Sequence, residues 1–246
     1  MAQRAATEGA DLILVLGGDG TINEVVQGLA NSPVPMGILP GGTANVLAME
    51  LGLGSGLERA AEKLGSCRAT RIALGRITGT VGSRYFLLMC GAGLDAKIVS
   101  EVHDRLKGAA GKFAYWVAGL KQFRRSIPAL NIAVHGQSYA CGFAVISRVR
   151  NYGGDMEIAS GASLLRDDFE VVLFEGSNPL RYAWYMLGMA AGRVQTMRGV
   201  RTLRARDVEI QTAAPMHIDG ELFGFGPALV EILPGALTLL VPVTYG

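Results

Sequence analysis

Three glycines around an aspartate, followed at once by a threonine, make Gly17-Gly18-Asp19-Gly20-Thr21 the stretch of this sequence best suited to chemistry. A backbone without Cβ atoms can approach phosphate oxygens closely. Thr21 and Glu24 keep the S/T-x-x-E spacing of a capping box, and Ile22, Val25, Val26 and Leu29 follow at helical spacing. The pattern predicts a helix that starts at Thr21, with its unpaired N–H groups and positive dipole end turned toward the glycines. Binding of an anion, above all a phosphate, is the chemistry such a corner supports. Asp19 qualifies it. A carboxylate aimed at phosphates repels them unless a cation intervenes, so Asp19 argues for Mg2+ held directly or through water. A local role capping the turn is the competing reading of Asp19.

A second turn repeats the pattern. Pro40-Gly41-Gly42-Thr43 ends the apolar run from Val34 to Leu39, and Thr43 is placed to cap a helix through Val46, Leu47 and Leu51 that Gly52 would stop. Two such helix ends side by side at the carboxyl edge of a sheet would suit a triphosphate. Neither turn is G-x-x-x-x-G-K-[ST], since no lysine follows, and neither is G-x-G-x-x-G.

The elements that must position these turns are legible as a pattern. Residues 1–10 look like the end of a helix. Leu12 to Leu16 is an apolar run too short for a helix and suits a strand buried on both faces, as in a parallel sheet. Val34 to Leu39 reads as the next strand, and Leu57 to Leu64 as a further helix. Strand, glycine turn and capped helix, twice over, describe a right-handed βαβ unit. From about Ala69 the character changes to short strand-like runs: Thr70 to Ile77, Arg84 to Cys90, Asn131 to His135, Ser138 to Ser147 and Glu170 to Phe174. Ala228 to Leu233 and Leu237 to Val243 read as two more strands, split by Pro234-Gly235. Helices are expected at Ala109 to Arg125 and Pro179 to Arg193. The expected fold is α/β, a three-layer nucleotide-binding domain over residues 1–68 with the final strand 237–246, followed by a mainly antiparallel β-sandwich over 69–236.

Composition narrows the function. The chain has 246 residues, half of them hydrophobic, enough to bury a substantial core. A formal net charge of +2 is too small for a nucleic-acid binder. Cys67, Cys90 and Cys141 lack CxxC spacing and read as reduced core thiols, while His103, His135 and His217 have no metal-ligand neighbour at helical spacing. No apolar run reaches the length of a membrane span and no signal-type core follows Met1, so a cytoplasmic protein is the expectation.

The two glycine turns, with Asn23-Glu24 after the first and ILPGGTANVLA from Ile38 to Ala48 around the second, resemble the catalytic domain of the diacylglycerol kinase family, which includes bacterial lipid kinases and sphingosine and ceramide kinases. GAGLDA from Gly91 to Ala96, SLLRDDFEVVLF from Ser163 to Phe174 and HIDGELF from His217 to Phe223 fall in the family's order, so the likeness covers essentially the whole chain. GGDGT alone is shared with NAD kinases and phosphofructokinase-like enzymes; GGTAN and the late DGE together point to lipid kinases.

The resemblance implies ATP and Mg2+ as cofactors and transfer of the γ-phosphate to a lipid hydroxyl, above all that of diacylglycerol. It implies that Glu221, in Asp219-Gly220-Glu221, is the proton acceptor, and that Asp19, Asp95 and Asp219 belong to the catalytic group, with Asp19 and Asp95 organising Mg2+. Gly17, Gly18, Asp19, Gly20, Thr21, Asn23, Gly42 and Thr43 would contact nucleotide. Asp167, with the carbonyls of Leu164 and Phe169, would hold a structural Mg2+, although the family's Asp-Gly is Asp167-Asp168 here. Read without the family, Asp95 also suits a turn, Asp219-Gly220 a hairpin and Asp167 a solvated loop. The implied partner is a membrane lipid, met by peripheral contact, with a homodimer admissible. Tyr115 and Trp116 beside Lys and Arg in the 109–125 helix suit a membrane interface or, better, a packed core, and Arg198, Arg201, Arg204 and Arg206 suit anionic lipid heads or a solvated strand face. Family members usually carry a further strand-helix-strand before the position of Ala2, so the expectation is a sheet short of strands on one side and an incomplete adenine pocket. An NAD kinase-like phosphotransferase and a non-catalytic lipid-binding remnant are the alternatives.

Overall fold

The computed structural model describes residues 1–93, 129–152, 156–176 and 178–246. Asp95 and the helix expected at 109–125 lie outside them. The chain opens with α1 (Ala2–Thr7), β1 (Ile13–Gly17), α2 (Asp19–Leu29), β2 (Met36–Pro40), α3 (Val46–Glu50) and α4 (Leu57–Leu64). β1 and β2 pair in parallel with Gly17 opposite Pro40, so both glycine turns leave the same sheet edge. The fold is the expected one, an α/β unit followed by a β-rich sandwich.

The second part comprises β3 (Cys67–Gly79), β4 (Gly82–Phe86), β5 (Met89–Gly93), β6 (Leu130–Val134), β7 (Gln137–Cys141), β8 (Phe143–Ser147), β9 (Asn151–Tyr152), β10 (Met156–Glu157) and β11 (Phe169–Phe174). α5 (Pro179–Ala190), a 3-10 turn (Val194–Thr196), β12 (Val200–Ala205), β13 (Asp207–Ile218) and β14 (Glu221–Pro242) complete it. The main sheet runs β1-β2-β14-β13-β5-β8-β11-β12. β14 joins the two parts: it pairs antiparallel with β13 and β3, and Leu239 pairs in parallel with Met36 of β2. The tail expected as two strands is therefore one long element, with only a register shift between Leu233 and Leu237 at Pro234-Gly235. Gly142 separates β7 from β8 by donating its N–H to Phe174, where the sequence suggests a single run.

One apolar cluster joins Ile22, Val26 and Leu29 of α2 to Ile38, Leu47, Leu74 and Leu237. A second fills the sandwich with Ile77, Phe86, Ile132, Ile146, Phe169, Val171 and Val230. Cys90 and Cys141 are buried thiols as expected, and burial pushes the Cys141 thiol up to about 12. β1 departs from expectation. It ends the sheet path, and although Val15 is buried, Leu14 is 53% and Leu16 60% exposed. A parallel strand is covered on both faces only where helices pack on both.

Both helix starts differ from the capping pattern. α2 begins at Asp19 with Gly18 as N-cap in extended conformation and no side-chain cap. Glu24 does not fold back to complete a box with Thr21; it pairs with Arg84 on β4. α3 begins at Val46 rather than after Thr43, because Asn45 adopts the left-handed region at φ 47. The helix expected at 57–64 is found at those bounds, and that expected at 179–193 ends at Ala190.

Candidate active site

The two glycine turns are packed backbone to backbone. Gly41 donates its N–H to the Gly17 carbonyl at 3.0 Å. A Cβ on Gly42 would come 2.5 Å from the Cα of Gly18, and one on Gly41 would lie 3.2 Å from the Cα of Gly17. Thr21 folds over Gly17, whose own Cβ would meet the threonine side chain at 2.8 Å. Asn45 fixes the second turn by accepting from the Gly42 N–H at 2.8 Å and donating to the Gly42 carbonyl at 2.9 Å. Gly42→Ala sets methyl against backbone, which no rotamer relieves. A destabilisation of about 1–3 kcal/mol is expected, read as a fall in thermal midpoint, together with weakened ATP binding in a titration.

Asp19 joins the two turns. Its carboxylate accepts from the N–H groups of Val46 at 3.0 Å and Leu47 at 3.2 Å, so the first turn caps the helix that follows the second. This corrects the expectation of two adjacent anion-binding helix ends. The α3 donors are taken, α3 is a five-residue helix, and the open N-terminus at the turns is that of α2. Thr43, Gly41 and Gly42 are exposed beside it.

Glu221 reaches this corner from the far end of the sequence. A Cβ on Gly20 would lie 2.7 Å from Glu221 Oε1, so the half-buried carboxylate stands over the first turn of α2. Glu221 is the first residue of β14, after a two-residue turn in which Asp219 (φ 47) and Gly220 (φ 86) are both left-handed. Asp219 points inward. Its Oδ1 accepts from Leu88 and Met89 N–H at 2.9 and 3.0 Å, and its Oδ2 from Leu87 N–H and Asn23 Nδ2, both at 2.8 Å. Burial raises its carboxyl above the usual range, and those four donors pull the other way.

Asn23 is spent inside the protein as well. Its Nδ2 donates to Asp219 and the Tyr85 carbonyl, and its Oδ1 accepts from Gln27 and from Arg84 at 3.3 Å. Asn23 thereby links α2, β4 and the turn before Glu221 and has little left for a nucleotide. The structure thus brings Gly17, Gly18, Gly20, Thr21, Gly42, Thr43, Asp19 and Glu221 to one corner, with Asp219 and Asn23 behind it. Asn45 and Arg84 are the residues that sequence reasoning missed. Asn45 carried a signal, an asparagine three places after the glycine it clamps; Arg84 is an ordinary strand residue and carried none.

At the loop expected to hold a structural metal, a guanidinium already occupies one of the three expected ligands. The Leu164 carbonyl accepts from Arg148 Nη2 at 2.8 Å, and the Arg166 carbonyl from Arg148 Nη1 at 3.2 Å. Arg148 is fully buried; burial lowers its guanidinium to about 10, with the charge of Asp167 opposing the shift. Asp168 is held by Arg166 and Arg204. A guanidinium already on the Leu164 carbonyl repels a divalent ion there, and this loop has its cation built in. EDTA is expected to leave the melting temperature of nucleotide-free protein unchanged within about 1 °C; a larger fall would restore the metal site.

Comparison with known proteins identifies the family. Residues 1–77 match the diacylglycerol kinase catalytic domain, and residues 89–241 the YegS C-terminal NAD kinase beta sandwich-like domain. An uncharacterized protein of Synechocystis sp. is 25% identical over 248 residues, covering 96% of this chain, which spans 56% of that relative's length. A diacylglycerol kinase of Mycobacterium tuberculosis is 26% identical over 245 residues, covering 97% of this chain and 79% of the relative. The solved structure of a diacylglycerol kinase from Bacillus anthracis superposes with a TM-score of 0.75 at 20% identity, covering 100% of this chain and 83% of that one.

Proposed function

This chain belongs to the diacylglycerol kinase family, and from that membership we propose that it is an ATP-dependent lipid kinase whose acceptor is the free hydroxyl of diacylglycerol. The observation that carries the proposal is the Glu221 carboxylate standing over Gly20, in the first turn of the helix that follows the glycine corner. In this reading residues 1–68 with 237–246 bind the nucleotide and 69–236 present the lipid.

The phosphates of ATP lie on the backbone of Gly17, Gly18, Gly20 and Gly42 and on the α2 N-terminus, with Thr21 and Thr43 at the rim. Glycine is required where the two turns meet, because a Cβ on Gly17 would run into Thr21 and one on Gly42 into the Gly18 backbone, and the α2 N-terminus beside them, with no side-chain cap, suits an anion. Mg2+ brought with the nucleotide would neutralise phosphate charge. Asp19, with a lone pair on each oxygen beyond those given to Val46 and Leu47, and Asp95 are the carboxylates proposed to hold it. Glu221 takes the proton of the lipid hydroxyl as its oxygen bonds to the γ-phosphorus and the bond to the β-phosphate oxygen breaks, releasing ADP. Asp219 and Asn23 are positioning residues. No helix among the described residues is long and apolar enough to cross a membrane; the contact with lipid is proposed as peripheral.

The test is phosphate transfer from labelled ATP to diacylglycerol, a sphingoid base, phosphatidylglycerol and soluble NAD in parallel. Transfer to diacylglycerol alone is expected; transfer to NAD without detergent would replace this reading by that of an NAD kinase. Gly20→Ala probes the geometry, because its methyl pushes aside only the end of a flexible side chain. Turnover should fall about 10–100-fold from misplacement of Glu221, with the melting temperature nearly unchanged.

A further inference from the structure

α5 is fixed to the sandwich by one face and presents an apolar stripe on the other. Asn178 caps it by accepting from the Leu180 N–H, with Pro179 in the first turn. Tyr182 and Tyr185 are buried and tie it down: Tyr182 donates to the Phe174 and Gly176 carbonyls, Tyr185 to those of Glu175 and Gly199. The Tyr185 ring meets Phe174 edge-on. Outward, Leu180 is 79%, Trp184 63% and Leu187 63% exposed. Their spacing of four and three residues makes one continuous stripe, not scattered surface leucines.

Charge says what covers this stripe. From Gly176 to Arg206 the sequence holds six arginines, at 181, 193, 198, 201, 204 and 206, and no Asp or Glu, within a chain whose net charge is +2. Arg201 and Arg204 are paired with Glu175, Asp168 and Glu170. The arginines nearer α5 in sequence are not paired with these carboxylates. Arg181 lies on the helix over the Tyr185 ring and donates to the Arg198 carbonyl; Arg198 and Arg193, just past the helix end, are exposed. An indole and two leucines flanked by arginines, on a helix that is otherwise anchored, have the composition of an interfacial helix.

We propose that α5 is the membrane-docking element of this protein. It lies flat on an anionic bilayer, with Leu180, Trp184 and Leu187 in the boundary between headgroups and acyl chains and Arg181, Arg193 and Arg198 against lipid phosphates. The purpose of the docking rests on the lipid-kinase reading, whereas the docking is measured without ATP or turnover.

Co-sedimentation with phosphatidylcholine vesicles containing about 30% phosphatidylglycerol tests it. Wild-type protein should bind these, bind pure phosphatidylcholine about tenfold less, and be released by about 0.5 M NaCl. With Trp116→Phe leaving Trp184 as the sole indole, emission should shift to the blue on binding. Trp184→Ser combined with Leu187→Ser should weaken binding at least about tenfold, with an unchanged melting temperature and undiminished transfer to short-chain diacylglycerol in detergent micelles. Vesicle binding untouched by that pair, or no binding by the wild type, overturns the proposal. So does a dimer that the pair converts to monomer, since the stripe is then a contact between two copies. Vesicle binding that needs the stripe, in a protein that phosphorylates no lipid, supports docking and removes the kinase reading instead.

Discussion

Glu221→Gln is expected to lower turnover about 10²–10⁴-fold while ATP affinity stays within about twofold. Glutamine keeps the size and the accepting oxygen of the side chain over Gly20 but cannot take a proton from an alcohol at neutral pH. The loss is expected in the chemical step, because the phosphate contacts proposed for ATP come from backbone glycines, Thr21 and Thr43, none of which the substitution alters. Single-turnover measurement with bound ATP separates the two: a slow transfer step at unchanged nucleotide affinity identifies the base. Lost ATP binding or a lowered melting temperature would make Glu221 a structural prop for the α2 N-terminus. Full activity of the glutamine variant would remove it from the mechanism altogether.

The fold was legible wherever local pattern and tertiary contact agree. The βαβ start, the change to antiparallel strands and the helix Leu57–Leu64 all follow from periodicity and glycine punctuation. What escaped is decided by partners far away in sequence. The capping box at Thr21 fails because Arg84, sixty residues on, takes Glu24. α3 starts late because its cap is Asp19, on the other turn. The metal loop carries a guanidinium because Arg148 is buried against it, and an arginine in a strand-rich stretch gives no sign of its burial. Periodicity gave α5, but the wheel alone does not say that Leu180, Trp184 and Leu187 form the outward face; Tyr182 and Tyr185 decide it by finding carbonyls on the sandwich. The same holds at the site. Spacing marks the glycines as a phosphate corner, yet that Glu221 meets them rests on Asp219, whose role is set by three consecutive N–H groups of residues 87–89.

Asp219→Asn is expected to cost about 3–5 kcal/mol of stability, although asparagine matches aspartate in size and tolerates the left-handed φ of 47 at this turn. Each carboxylate oxygen accepts from two donors, Oδ1 from Leu88 and Met89, Oδ2 from Leu87 and Asn23. Whichever way the new amide turns, its NH2 faces two donors in a buried pocket and satisfies neither. Urea unfolding reads the loss directly, and a fall of several degrees in melting temperature should accompany it. Turnover should drop too, since Asp219 holds the turn that launches Glu221 toward Gly20, but ATP affinity should weaken less than turnover. Asp219→Ala, which empties the pocket and adds strain at the same φ, should be worse on both counts. A variant that loses turnover at unchanged unfolding free energy would place Asp219 among the groups that meet the substrate. The stability loss is expected because β13, β5, β4 and α2 converge on this one carboxylate. The glycine corner and the strand that carries Glu221 are held in register by it.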